Sequence, residues 1–76
     1  MTRGRSNWTF RDVKRFLESK GFVLHHVRGS HHYFHGFAGG KLKMTSVPSH
    51  GSDTIHPKTL GSIIKQSGIP REEWFE

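Results

Sequence analysis

Residues 22–47 read FVLHHVRGSHHYFHGFAGGKLKMTSV, and the punctuation of this stretch decides the fold. Phe22–Arg28 is rich in β-branched and aromatic residues and reads as a strand. Gly29-Ser30 is a two-residue hairpin signal, with glycine first as a type II′ turn requires. HHYFHGF (31–37) is the return strand. Ala38-Gly39-Gly40 turns the chain again, and KLKMTSV (41–47) is a third strand, ended by Pro48. The stretch therefore specifies a three-stranded antiparallel meander, one face of which must be covered.

The flanks supply the cover. Upstream, NWTFRDVKRFLESKGF (7–22) is a punctuated helix. Thr9 suits the N-cap, Asp12 the N3 position, and Trp8 with Val13 has the spacing of a hydrophobic staple. Phe10, Val13, Phe16 and Leu17 form one apolar stripe, and Gly21 followed by Phe22 has the form of a left-handed stop. Downstream, PSHGSDTIHP (48–57) is a polar loop. A second helix begins at Pro57 or Lys58, buries Leu60, Ile63 and Ile64, and stops at Gly68. Pro70 then opens a short terminal helical segment over 70–76, whose Trp74 and Phe75 close the core. The expectation is a single α+β domain over residues 1–76, with residues 1–7 a flexible lead-in. Its α-β-β-β-α order is that of double-stranded-RNA-binding domains, with helices on one face of the sheet and the other open.

Composition narrows the chemistry. Twelve Lys and Arg against six Asp and Glu leave a formal charge of +6, which favours a polyanionic partner, nucleic acid first and an acidic protein second. There is no cysteine, so disulfide frameworks and thiolate zinc sites are excluded and a reducing cytoplasm is expected. No apolar run approaches the ~20 residues that span a bilayer. The basic MTRGRSNW start is followed by no apolar segment, so no secretory leader is expected.

Five of the seven histidines lie within residues 25–35. A two-residue turn sets Arg28 opposite His31, then Val27 opposite His32, His26 opposite Tyr33, His25 opposite Phe34 and Leu24 opposite His35. One face collects His26, Arg28, His31, Tyr33 and His35, and the covered one Val23, His25, Val27, His32 and Phe34. Leu24 falls on the polar side, and a bulge would shift that register. With Lys41 and Lys43 from the third strand, the open face offers groups that grip a phosphodiester. Arg28 provides a donor fork, Tyr33 a stacking ring and His31 a proton carrier near neutral pH. RNA brings its own nucleophile, the 2′-hydroxyl, so a catalyst need only move protons and stabilise charge. The plainer alternatives are a solvated turn histidine, a cross-strand packing tyrosine and an edge-protecting lysine pair. A metal site is a further alternative, with His26, His31 and His35 converging across the hairpin. The familiar zinc signatures are missing, and no metal or other cofactor is expected.

The run FLESKGFVLHHVRGSHHYF, then VPSH, then TLGSIIKQSGIPREEWF resembles the HicA-type toxins, the mRNA interferases of toxin–antitoxin pairs, over about residues 9–75. The distinguishing pieces are KGF at the helix end, Gly-Ser-His at 29–31, Val-Pro-x-His at 47–50, and Thr-Leu followed by IIKQSGI. The chain has Lys58-Thr59-Leu60 where the family often has Gly-Thr-Leu. The resemblance implies a metal-independent endoribonuclease with His31 catalytic, acting on mRNA in the cytoplasm. It also implies a cognate HicB-type antitoxin that covers the active face, and the free toxin is expected to be a monomer. Arg28, Gly29, Ser30, Tyr33, Lys41 and Lys43 are the expected substrate-binding residues, and His26, His35 and His50 the expected support. A non-catalytic RNA-binding domain and a basic protein-interaction domain remain the alternatives.

Overall fold

A computed structural model describes residues 7–49 and 54–75. His50 and nearly all of the expected lead-in lie outside those residues. The elements run α1 (Phe10–Ser19), β1 (Val23–Arg28), β2 (His31–Ala38), β3 (Lys41–Pro48), α2 (Pro57–Ser67) and α3 (Arg71–Trp74). The strands form one antiparallel sheet in the order β1-β2-β3. This is the expected α-β-β-β-α arrangement, with α3 as a short addition.

Local chemistry explains each boundary. At the start of α1 the Thr9 hydroxyl accepts from the Asp12 N–H at 3.3 Å, and the Asp12 carboxylate accepts from the Thr9 N–H at 2.9 Å. That reciprocal pair satisfies two orphan donors. At the other end the Phe22 N–H returns to the Leu17 carbonyl and the Gly21 N–H to Glu18, with Gly21 at φ 87°. This is a Schellman stop, and only glycine takes that φ without strain. Both residues of the second turn, Gly39 and Gly40, have positive φ, as a type I′ turn demands. Thr9→Ala removes one half of the capping box. It should cost about 1 kcal/mol, or about 5 °C in Tm for a domain of this size, read by thermal unfolding.

One hydrophobic cluster joins the helices to the covered sheet face. Val13 and Leu17 from α1, Phe34 and Val47 from the strands, and Leu60, Ile63 and Ile64 from α2 are all buried within it. Trp8 precedes α1 and is 4 % exposed, Trp74 of α3 is 2 % exposed, and their rings lie 5.5 Å apart. The two ends of the chain thus close the core together. A main-chain bond from the Ile55 N–H to the Trp8 carbonyl, 2.7 Å, ties the upstream end to the segment before α2. Gln66 of α2 accepts from the Ser46 N–H and from the Thr45 hydroxyl, which places α2 along the outer edge of β3. No helix among the described residues is long and apolar enough to cross a membrane.

The register near the turn matches the expectation, with Arg28 opposite His31, Val27 opposite His32 and His26 opposite Tyr33. Beyond it the pairing shifts, with Leu24 opposite Phe34 and Val23 opposite His35. His25 is the extra residue of a bulge. The expected pairs His25–Phe34 and Leu24–His35 are therefore corrected. Leu24 moves to the covered side of the sheet, while Val23 and His25 join the open face. The physical reason is the burial of Phe34 and Phe22. Slipping one residue brings an apolar side chain, and not an imidazole, beside Phe34.

Candidate functional site

The three strands contain no acidic residue; between Glu18 and Asp53 the chain carries lysine, arginine and six histidines but no carboxylate. The acids that are described lie on the helices. Two of them are in ion pairs there, Lys14–Glu18 at 3.2 Å and Lys20–Glu73 at 2.7 Å. The strands thus carry three fixed cations, Arg28, Lys41 and Lys43, and no carboxylate, a balance that suits a phosphate-bearing partner.

His31 is the first residue of β2, the central strand. It pairs with Arg28 on one side and with Pro48 on the other. The Ser49 N–H donates to the Ser30 carbonyl at 2.6 Å, which fastens the Gly29–Ser30 turn to the end of β3. Gly29 has φ 60°, as the first position of a type II′ turn requires. His31 and Arg28 are both exposed, and Arg28 has no ion-pair partner among the described residues.

On the side of His31 away from Arg28, a cavity of about 520 Å³ opens between β3, the segment before α2, and α2 itself. His31, Ser46, Thr54, His56, Thr59, Ser62 and Gln66 supply its polar lining. No carboxylate appears among the described residues that line it. At its rim His56 caps α2, its Nδ1 accepting from the Lys58 N–H at 3.1 Å. None of His56, Thr59, Ser62 and Gln66 was expected from the sequence to take part. The available signal was the His-Pro pair at 56–57, where proline at the first helical position makes the preceding residue the N-cap.

The other expected residues divide between two places. Tyr33, His26 and His35 lie on the open face with His31 and Arg28, but they are engaged with one another. The His26 and Tyr33 rings stack at 4.3 Å, and His25 stacks on His35 at 4.1 Å. His25 Nδ1 and His26 Nδ1 approach to 2.7 Å, so one of the two carries the shared proton. Lys41 and Lys43 do not join His31. They alternate with Leu42 and Met44 and share the side of the buried Thr45 and Val47. They pair with Ala38 and Gly36, at the other end of β2. The expectation that they reinforce the open face beside His31 is corrected. Thr45 and Val47 are needed in the core, and alternation sends the lysines to the fringe of that same face, where their apolar stems pack and their ammonium groups reach water. His32 faces the covered side as expected, with its ring 4.6 Å from that of Phe10. Among the described residues no group of three His, Asp or Glu side chains is arranged to hold a metal ion.

Burial pushes the His35 imidazole below its ordinary pKa, and His25 and His26 nearby add to the effect. Its Nε2 is buried without a hydrogen-bond partner among the described residues. The folded state therefore favours neutral His35. Between its lowered folded value and the usual value near 6.5, the unfolded chain binds more protons, so stability is present above pH 6.5 and is lost as pH falls. His35 should titrate below its unfolded value by NMR. His35→Leu should flatten the decline of Tm between pH 7 and pH 5.

The family model described as the HicA toxin of bacterial toxin–antitoxin pairs matches residues 10–69. Those residues run from the first turn of α1 to just past α2 and include the whole sheet. Comparison with curated proteins and with solved structures gave no significant match.

Proposed function

The chain belongs to the HicA toxin family, and from that premise we propose that it is a ribonuclease in which His31 moves the proton that RNA cleavage requires. As a HicA toxin it has a cognate antitoxin as partner. The observation that carries the enzymatic reading is the setting of His31. An exposed imidazole stands at the end of a carboxylate-free sheet, with a guanidinium on one side and a donor-lined cavity on the other. In the reaction the 2′-hydroxyl oxygen bonds to phosphorus and the P–O5′ bond breaks. The proton leaves O2′ and one is delivered to O5′, giving a 2′,3′-cyclic phosphate and a 5′-hydroxyl. An imidazole suits that traffic at neutral pH. Arg28 attracts and holds the backbone phosphate.

The antitoxin has a natural seat on the open face. Val23, Phe37, Leu42 and Met44 lie there and are 63, 70, 60 and 48 % exposed, an apolar patch of the kind that marks a protein interface. The patch lies around His35 and Phe37, at the end of β2 away from His31, so a HicB-type antitoxin that also covers His31 extends along the strand past Tyr33, about 13 Å or more.

The test is incubation of purified protein with RNA. Fragments ending in cyclic phosphate and 5′-hydroxyl are expected, and activity should persist in chelator. Complete loss in chelator would favour a metal-dependent reaction, and tight RNA binding without cleavage would make the domain an RNA-binding module.

A further inference from the structure

His56 and Gln66 face the same cavity as His31, and hydrogen bonding at one end of each side chain fixes what the other end offers. A backbone N–H can only donate. His56 Nδ1, which accepts from the Lys58 N–H, therefore carries no proton while that bond holds. The ring is then the neutral tautomer with its proton on Nε2. The same logic orients Gln66. Its Oε1 accepts from the Ser46 N–H at 3.3 Å and from the Thr45 hydroxyl at 3.1 Å. The amide NH₂ is the end left for a ligand. Two neutral donors thus border a cavity whose described lining includes no carboxylate.

We propose that His56 Nε2–H and the Gln66 amide bind the non-bridging oxygens of an RNA phosphodiester in this cavity, with His56 acting as a neutral hydrogen-bond donor and not as a second proton-transfer group. This rests on the ribonuclease reading of His31. The chemistry excludes proton transfer by His56 in its capped state. Its Nε2 has no free lone pair to take the 2′-hydroxyl proton, and giving up the Nε2 proton would leave an imidazolate. A fixed donor aimed at charge that grows on phosphorus-bound oxygen is instead most effective in the transition state.

The experiment compares wild type with His56→Ser, His56→Asn and Gln66→Glu. Serine and asparagine both cap a helix well, so each should keep α2 and the wild-type Tm. Serine is too short to reach the cavity, while asparagine keeps an amide donor. His56→Ser should lower kcat for RNA cleavage about 100-fold and leave both limbs of the pH–rate profile in place, with His56→Asn less impaired. Gln66→Glu keeps the acceptor and replaces the donor with a negative charge, so RNA affinity should fall at least about tenfold, the size of one hydrogen bond to a charged group. A lost limb in His56→Ser would make His56 a proton-transfer group and overturn the proposal; an unchanged rate in His56→Ser would overturn it equally. A readout that does not depend on cleavage separates this proposal from the one it rests on. Inorganic phosphate titrated into wild-type protein should shift the His56 ring and Gln66 amide signals in NMR spectra, and His56 should show the Nε2–H tautomer. If those signals stay still, the site is wrong even where His31→Ala abolishes cleavage. If they move while His31→Ala still cuts RNA, the phosphate site stands and the role of His31 falls.

Discussion

His31→Ala should lower RNA cleavage by about 10³-fold or more, the contribution of a positioned proton-transfer group, and should abolish growth arrest on expression. The fold should survive. His31 is exposed, and its strand pairing with Arg28 and Pro48 runs through the backbone. The expected change in stability is within about 0.5 kcal/mol, as for other surface substitutions. The neighbouring residue provides the control. His32 has the same side chain and lies one residue away, but alternation turns it to the covered face, against Phe10. His32→Ala should lower Tm and leave the rate of the folded fraction unchanged. Cleavage and thermal unfolding measured on both variants would separate chemistry from packing. A folded His31→Ala protein that cuts RNA at the wild-type rate would remove the assignment.

The contrast between these two histidines was legible in the sequence because it depends only on a two-residue turn and strict alternation. The helix boundaries were legible for the same kind of reason. Thr9 with Asp12, and Gly21 with Phe22, are local devices whose hydrogen bonds span a few residues. The bulge at His25 was not, although Leu24 on the wrong face was its trace. A bulge is decided by whichever register best fills the core around Phe34, a tertiary matter. The lysines of β3 were placed on the wrong face because a Lys-x-Lys-x-Thr-x-Val alternation is equally consistent with either assignment until Val47 is known to be buried. The cavity was the least legible feature. It exists because α2 lies along the edge of β3, and residues some 25 positions apart, His31 and His56, come together there. No periodicity within either element encodes that approach, and His56 reads in sequence as a loop residue before a proline.

Gly36→Ala should destabilise the protein by about 3 kcal/mol, a large part of the margin of a domain this small. Gly36 lies inside β2 opposite Lys43 and its φ is not positive, so the backbone would accept alanine. Space is the obstacle. An added Cβ would overlap the ring of Phe22. That ring is 1 % exposed and follows directly from the Schellman stop of α1, so it can neither swing into solvent nor shift without moving the helix end. Gly29→Ala is the opposite case. Nothing lies within 4 Å of the new Cβ, but φ is +60°, so the cost is backbone strain alone, about 1 kcal/mol. Urea unfolding would rank the two. It would also expose the cause, because shrinking the partner should relieve the clash. In Gly36→Ala with Phe22→Leu, the loss should be smaller than the sum of the single losses. Simple additivity in that cycle would mean that Phe22 is not what requires the glycine. Gly36 lies five residues along β2 from His31, about 17 Å at ~3.3 Å per residue. Activity in Gly36→Ala should therefore track the folded fraction, while in His31→Ala it should vanish from a protein that is fully folded.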